Sequence, residues 1–115
     1  MQTKVFGMDI DPTARISDTA LIDRTWPRGI HIAAGCVIDE HAVVLTHDMT
    51  RGLYMDTRIG AGCQLGARCI VFPGVTIGEG SIVAPGAVIT RDMPSNSYAV
   101  GNPAQVSPRE PAPRA

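Results

Sequence analysis

Aliphatic residues recur at every sixth position along the second half of the chain. They are Ile59, Leu65, Val71, Ile77, Val83 and Ile89. The residue four places after each of the first five is small or β-branched. A period of six fits neither the 3.6-residue helix nor the two-residue alternation of a strand, but it fits a short strand followed by a turn. Three such units predict a triangular coil of about eighteen residues, with these side chains inside.

Glycine marks the expected corners of this coil. Gly62, Gly74, Gly80 and Gly86 each lie three places after an aliphatic residue of the repeat. Glycine adopts positive φ angles at little cost, so it suits a turn between two short strands. The spacing therefore predicts a prism whose sides are strands and whose corners are tight turns.

The same spacing extends into the first half of the chain and predicts four coils. The repeat positions are Ile10, Ile16 and Ile22 in coil 1, Ile32, Ile38 and Val44 in coil 2, Ile59, Leu65 and Val71 in coil 3, and Ile77, Val83 and Ile89 in coil 4. Two insertions interrupt the pattern. The first should bulge at a corner around residues 26–29, with Trp26 covering the open end of the prism. The second should form a loop outside the prism within residues 45–58.

These segments predict a single domain over residues 1–107. Its expected parts are an N-terminal cap at 1–9, the coils at 10–92 and a C-terminal cap at 93–107, followed by a flexible tail at 108–115. Pro94 and Pro103 cannot donate the backbone hydrogen bond of a central strand. We therefore expect no strand after coil 4.

The composition limits the kinds of partner and compartment. The 115 residues are 44% hydrophobic but only 4% aromatic, which fits a narrow core of Ile, Val, Ala and Cys. The formal net charge of −1 argues against a nucleic-acid partner, because phosphate binding needs a basic excess. The N-terminal residues contain no apolar run as long as a signal peptide or a membrane span. We therefore predict a cytoplasmic protein without a membrane span.

Cysteine usage agrees with that compartment. Cys36, Cys63 and Cys69 occupy interior repeat positions. Cys36 and Cys63 should stack on adjacent coils, close enough for a disulfide, but a cytosolic setting favours two buried thiols. No pair has the C-x-x-C spacing of a zinc site.

The loop after coil 2 begins with Thr46, His47 and Asp48. An imidazole beside a rigid wall can act as a general base near neutral pH, and an adjacent Asp48 would favour its protonated form. The alternative is structural, because His47 lies three places after Val44, where histidine tolerates a left-handed turn. His41 has the same register, and for it we prefer the structural interpretation. The residues alone leave both interpretations of His47 open.

Several motifs together resemble one known family. They are T-H-D at 46–48, P-G-V-T-I-G at 73–78, A-P-G-A-V-I-T-R-D-M-P at 84–94 and G-N-P-A at 101–104. Over residues 32–107 the chain resembles the hexapeptide-repeat O-acetyltransferases, the group that contains maltose, galactoside and nodulation-factor acetyltransferases. The resemblance implies a left-handed parallel β-helix and a homotrimer with active sites between subunits. It also implies acetyl transfer from acetyl-CoA to a hydroxyl of a sugar or glycan intermediate.

The resemblance assigns roles to five residues. His47 matches the histidine that deprotonates the acceptor hydroxyl, and Ala67, Pro85, Thr90 and Arg91 match cofactor contacts. Independently, Ala67 and Pro85 are eighteen residues apart, which places them one above the other, about 4.8 Å apart along the prism. Such a column suits the long, thin pantetheine of CoA, and Arg91 suits a cofactor phosphate.

Two departures from the family pattern motivate other functions. Gln64 stands where the family often has Trp, and Gln105 stands where it usually has a basic residue. They raise the alternative of a non-catalytic scaffold with the same fold. A zinc-dependent trimer resembling carbonic anhydrase is a further alternative, but it requires three converging histidines. His31, His41 and His47 all fall on coil 2, so no metal site is predicted.

Overall fold

Each repeat unit forms a short strand and a turn in the computed structural model, which describes residues 7–48 and 50–109. Coils 1 and 2 contain β1 (Asp9–Ile10), β2 (Arg15–Ile16), β3 (Leu21–Ile22), β4 (Ile30–Ile32), β5 (Val37–Ile38) and β6 (Val43–Val44), with a 3-10 helix (Pro27–Gly29) between β3 and β4. The strands β7 (His47–Asp48) and β8 (Leu53–Tyr54) follow coil 2. Coils 3 and 4 contain β9 (Thr57–Ile59), β10 (Gln64–Leu65), β11 (Ile70–Val71), β12 (Thr76–Ile77), β13 (Ile82–Val83) and β14 (Val88–Ile89). The last described strands are β15 (Ser97–Gly101) and β16 (Ala104–Pro108).

Successive coils stack so that equivalent strands pair in parallel. In spatial order, sheet A contains β1, β4, β9 and β12, and sheet C contains β3, β6, β11 and β14. Sheet B contains β2, β5, β10, β13, β15 and β16. The three sheets form the sides of a left-handed parallel β-helix, so the predicted fold class is confirmed.

The strand register confirms the predicted repeat positions. The paired residues are Ile10, Ile32, Ile59 and Ile77 on sheet A, Ile16, Ile38, Leu65 and Val83 on sheet B, and Ile22, Val44, Val71 and Ile89 on sheet C. In coils 2 to 4 these side chains are at most 3% exposed. Burying an aliphatic side chain contributes about 1.5–3 kcal/mol, so the three inner columns hold the coils together.

The outer faces of the sheets differ in chemistry. Sheet A presents Asp9, His31, Arg58 and Thr76 in register. Sheet C presents Leu21, Val43, Ile70 and Val88 in register. Leu21 is 57% exposed in the isolated chain. Sheet C therefore has an apolar outer face as well as an apolar inner face, whereas sheet A is polar outside.

The predicted corner glycines adopt the left-handed conformation. The φ angles are 69° at Gly62, 82° at Gly74, 70° at Gly80 and 76° at Gly86. His41 occupies the same turn position with a φ of 57°, which confirms its structural interpretation. His47 has the corresponding place after Val44 but lies in strand β7. The left-handed turn therefore does not account for His47.

The first insertion places Trp26 beside the hairpin formed by β7 and β8. The indole packs over Gly29, where a Cβ atom would lie 2.5 Å from Cε3 of the ring. The ring of Trp26 also meets the ring of Tyr54 edge-on, with centroids 6.0 Å apart. The prediction that Trp26 covers the open end of the prism is therefore wrong.

Two further strands follow coil 4. Strand β15 pairs in parallel with β13 and extends sheet B, and β16 pairs antiparallel with β15. The prediction that Pro94 and Pro103 exclude strands here is wrong, because both prolines lie in the connections that flank β15. Arg109 follows β16, and its side chain donates a hydrogen bond to the carbonyl oxygen of Gly80 at 2.8 Å. The structured chain therefore continues past residue 107.

Parts of two predicted segments lie outside the described residues. The expected N-terminal cap includes residues 1–6, and the expected tail includes residues 110–115, which the structure does not describe. Within residues 7–48 and 50–109, no helix has both the length and the apolar character needed to cross a bilayer.

All three cysteines are free and fully buried, which confirms the predicted buried thiols. The thiol of Cys36 donates to the carbonyl oxygen of Gly60 at 3.0 Å, and that of Cys63 donates to Gly78 at 3.2 Å. Burial raises the pKa of the Cys69 thiol to about 11. Cys69 is therefore uncharged at neutral pH.

Full burial predicts unreactive cysteines, although the neighbouring Cys63 thiol lowers the pKa of Cys36 to about 7. A cysteine reacts as its thiolate, and a reagent cannot reach a sulfur atom that has no exposed surface. We expect no thiol of the folded protein to react with a chromogenic disulfide reagent at neutral pH over an hour, and all three to react in denaturant. Absorbance of the released reagent measures the count. Rapid reaction of any thiol in the folded protein would contradict this prediction.

Candidate active site

The second insertion is an antiparallel hairpin. In it, His47 pairs with Tyr54 and Asp48 pairs with Leu53. It leaves the prism after β6 and returns before β9, so it projects from the corner between sheets C and A. The loop predicted after coil 2 is therefore a hairpin with its own backbone pairing, and His47 lies on its first strand.

The imidazole of His47 lies flat against an aromatic ring. Its centroid is 4.4 Å from that of Tyr54, and the two ring planes differ by 7°. Tyr54 in turn contacts Trp26 edge-on. Among the described residues, no side chain forms a hydrogen bond with the imidazole of His47. Aromatic stacking therefore orients the ring.

Asp48 does not orient His47. Its carboxylate accepts a hydrogen bond from Nε of Arg51 at 2.6 Å and another from the Arg51 backbone N–H at 3.1 Å. The Arg51 side chain holds the pKa of Asp48 below its usual range. The Asp48 carboxylate is therefore bound to Arg51 within the hairpin, and an effect of Asp48 on His47 stays a prediction.

A groove of about 740 Å³ runs beside His47 on the outer side of sheet C. Its apolar wall consists of Leu21, Leu45, Phe72 and Pro73. Its polar lining consists of Asp23, Arg24, Thr25, His47, Asp48, Thr50 and Arg51. A molecule in this groove would contact both the imidazole of His47 and the apolar wall.

Asp23 is a residue of this groove that sequence reasoning missed. It is 9% exposed, and its carboxylate accepts hydrogen bonds from backbone N–H groups of coil 1 and of the hairpin segment. The D-x-T spacing of Asp23 and Thr25 indicates a local Asx turn, and Asp11 and Thr13 form the same turn. That signal predicts the bond to Thr25 but not the bonds to the next coil.

Two predicted cofactor residues lie together at the corner between sheets B and C. Leu65 pairs with Val83, so the turns that follow are stacked, and the N–H of Gly86 donates to the carbonyl oxygen of Ala67 at 2.9 Å. Ala67 is half-buried and Pro85 is exposed. The stacking predicted from their spacing is present, and a contact with CoA stays a prediction.

Thr90 and Arg91 lie elsewhere, at the corner between sheets C and A. They follow β14 and line a groove of about 810 Å³ with the segment 102–106. That segment contains Asn102 and Pro103, which belong to the G-N-P-A motif, and Gln105. Both Thr90 and Arg91 are exposed. Their side chains can therefore contact a ligand, and a role in cofactor binding stays a prediction.

One prism does not bring all the predicted site residues together. Ala67 and Pro85 precede the strands of sheet C, whereas His47 follows one of them. Side chains at opposite edges of one sheet face are separated by the strand length, on the order of 15 Å for a side of this prism. A thioester at the Ala67 corner would therefore be out of reach of His47 of the same prism.

The histidines do not converge on a metal site. Within residues 7–48 and 50–109, no three His, Cys, Asp or Glu side chains lie close enough to hold a metal ion. His31 is instead bonded to Asp9 and Asp56 on the outer face of sheet A, with both distances 3.2 Å.

A comparison with known protein families identifies the same repeat in this chain. The family described as bacterial transferase hexapeptide (six repeats) matches residues 56–91. Over this segment the chain matches the hexapeptide-repeat family. The matched segment contains the Ala67 and Pro85 corner and ends at Arg91.

Three relatives illustrate the similarity. Serine acetyltransferase 2 of Arabidopsis thaliana is 36% identical over 90% of this chain and 33% of its own length. A maltose O-acetyltransferase from Clostridium difficile 630 has a TM-score of 0.70 at 21% identity, over 90% of this chain and 69% of its own. A galactoside acetyltransferase in complex with coenzyme A has a TM-score of 0.63 at 21% identity, over 83% and 61%. The chain spans a quarter to a third of the length of the curated relatives it matches.

Proposed function

We propose that this hexapeptide-repeat chain is the catalytic unit of an acetyl-CoA-dependent O-acetyltransferase that modifies a hydroxyl of a sugar or glycan intermediate. His47 carries the proposal, because a braced hairpin holds its imidazole at the edge of a groove large enough for such an acceptor. The relatives, which are named as acetyltransferases, support the reaction class.

The proposed reaction is direct transfer between two bound substrates. His47 accepts the proton of the acceptor hydroxyl while that oxygen attacks the carbonyl carbon of the acetyl thioester. The carbon–sulfur bond then breaks, and the CoA thiolate takes the proton from the imidazolium. The products are an acetyl ester and the free thiol of CoA, and His47 returns to its neutral form.

In this proposal the cofactor binds along two corners of the prism. The pantetheine lies along the stacked Ala67 and Pro85. The phosphates lie near Thr90 and Arg91, because a guanidinium forms strong, charge-assisted hydrogen bonds with phosphate oxygens. The galactoside acetyltransferase with bound coenzyme A supports a site for this cofactor on the fold.

The active site is proposed to form between subunits of a homotrimer. His47 and the Ala67 corner lie at opposite edges of sheet C, so a neighbouring prism must supply one of them. The apolar outer face of sheet C supports such contact, since exposed apolar faces of this kind mark protein interfaces. A cyclic trimer repeats the same contact three times and closes on itself.

Serine is a second candidate acceptor. The Arabidopsis relative, which is named a serine acetyltransferase, shares 36% identity with this chain. An acceptor screen with acetyl-CoA should therefore include L-serine beside maltose, galactosides and free sugars. Mass spectrometry of the products identifies the ester formed, and acetylation of L-serine alone would overturn the sugar assignment.

The compartment is also a proposal. We propose that the protein is cytoplasmic, and three buried thiols without a disulfide support a reducing environment.

Cofactor binding is tested by calorimetric titration with acetyl-CoA. We expect saturable binding to the native protein and a roughly tenfold weaker affinity for Arg91→Gln, which loses one charge-assisted bond. The matched control is Arg15→Gln, an exposed arginine on sheet B in coil 1. The absence of binding heat with the native protein would favour the non-catalytic scaffold. Equal affinities of the two variants would place the phosphates elsewhere.

A further inference from the structure

A single carboxylate joins coil 1 to the segment that carries His47. Asp23 follows β3 directly, and its Oδ1 atom accepts the N–H of Thr25 at 2.8 Å. Its Oδ2 atom accepts the N–H of Thr46 at 3.0 Å and the N–H of His47 at 3.1 Å. Three backbone donors therefore converge on one buried side chain, and two of them are the N–H of the proposed base and the N–H of the residue before it.

The surroundings of Asp23 favour its charged form. Burial raises the pKa of the carboxyl, but the hydrogen bonds from Thr46, Thr25 and His47 outweigh burial and leave the pKa below its ordinary value. A carboxylate accepts hydrogen bonds on both oxygens, and such bonds are stronger than those between neutral groups. At neutral pH, Asp23 therefore binds the hairpin segment as an anion.

The other bonds at the base of the hairpin hold the neighbours of His47. Thr46 donates from Oγ1 to the carbonyl oxygen of Trp26 at 3.1 Å, and Thr57 donates from Oγ1 to Leu45 at 2.6 Å. Among the described residues, Asp23 is the one side chain that hydrogen-bonds to the backbone of His47. The position of the His47 backbone relative to the groove therefore depends on this carboxylate as well as on the pairing with Tyr54.

We propose that Asp23 is a positioning residue that sets the location of the His47 imidazole in the groove. The inference rests on the proposed function, because it assigns Asp23 to the reaction through His47 and not through contact with the acceptor. Loss of the anchor lets the backbone of His47 shift, and a displacement of about 1 Å can lower a catalytic rate by about a hundredfold.

Asp23→Asn is the sharpest test variant because it keeps the shape of the side chain. Its amide has one acceptor oxygen. It therefore cannot accept the hydrogen bond from Thr25 on one side and those from both hairpin donors on the other. Asp11→Asn is the matched control. Asp11 forms the same turn on the same coil, accepting the N–H of Thr13 at 2.8 Å, but it does not contact the hairpin. Both variants remove one charge from coil 1.

The kinetic test compares kcat with acetyl-CoA affinity. We expect Asp23→Asn to lower kcat by about 10- to 100-fold and to leave the Kd of acetyl-CoA unchanged. Asp11→Asn should retain the native kcat. Equal kcat losses in the two variants, or a parallel loss of acetyl-CoA affinity, would show that Asp23 merely supports the fold.

A double substitution separates positioning from other roles. In the His47→Ala background, Asp23→Asn should lower the residual rate by less than about twofold, because the group that Asp23 positions is already absent. A loss as large as that in the native background would contradict action through His47. It would instead indicate that Asp23 acts on the substrate directly.

Amide hydrogen exchange tests the anchor independently of catalysis. Asp23→Asn should accelerate exchange of the Thr46 and His47 amides by at least about tenfold and leave that of Thr13 unchanged. Unchanged exchange at both hairpin amides would overturn the anchor. If the anchor is present but the native protein transfers no acetyl group to any acceptor, the proposed function fails, and the positioning role fails with it.

Discussion

Replacing His47 with alanine should lower kcat for acetyl transfer by about 10²- to 10⁴-fold. This range is the usual contribution of a positioned general base. The affinity for acetyl-CoA should stay nearly unchanged, because the proposed role of the imidazole concerns the acceptor hydroxyl. Steady-state kinetics with varied acceptor, together with calorimetry, measures the two quantities separately.

His41→Asn is the control for that experiment. His41 lies on the same coil and is exposed, but it occupies a left-handed turn with a φ of 57°. Asparagine tolerates this conformation better than alanine, so backbone strain does not confuse the comparison. The variant should keep at least half of the native activity. Similar losses in both variants would show that His47 is structural and that another group is the base.

Introducing a charge into the outer face of sheet C should dissociate the proposed trimer. Ile70 lies between Val43 and Val88 on that face, and arginine there would be buried without a partner in the assembly. An unpaired buried charge costs about 3–5 kcal/mol, which is a factor of about 10² to 10³ or more in an association constant. We expect Ile70→Arg to be monomeric at micromolar concentration by light scattering, and to lose most of its activity.

Thr76→Arg provides the matched control for the assembly. Thr76 is the outward residue of β12 on sheet A, whose outer face is already polar. This variant should remain trimeric and active. A monomeric native protein, or a trimeric Ile70→Arg variant, would refute the proposed interface. In either case the sites could not form where sheet C meets a neighbouring prism.

The prism was predictable from sequence because its core repeats. Once Ile59, Leu65 and Val71 define three sides, every sixth aliphatic residue must face inward, and the strand register follows without further information. The repeat does not specify what happens at insertions. The position of Trp26 was predicted wrongly. The hydrophobicity of an indole indicates that it will pack against other residues, but it does not indicate which residues those are.

The arrangement of the candidate site was less predictable. The T-H-D motif indicates a loop, yet whether Asp48 faces His47 or Arg51 depends on the hairpin pairing that the motif does not encode. Asp23 was missed for a related reason. The repeat places Asp23 beside the start of the hairpin segment, since Ile22 pairs with Val44. It does not specify that the Asp23 carboxylate turns toward the backbone N–H groups of Thr46 and His47.

The hairpin leaves and rejoins the prism without disturbing the register of the coils on either side. Val44 before it still pairs with Val71 after it, and Ile32 still pairs with Ile59. Residues added or removed near Gly52 at the tip would shift no core contact, and lengthening a loop costs little free energy. During evolution, the hairpin could therefore change length, and with it the acceptors admitted, while selection on the repeat maintained the scaffold.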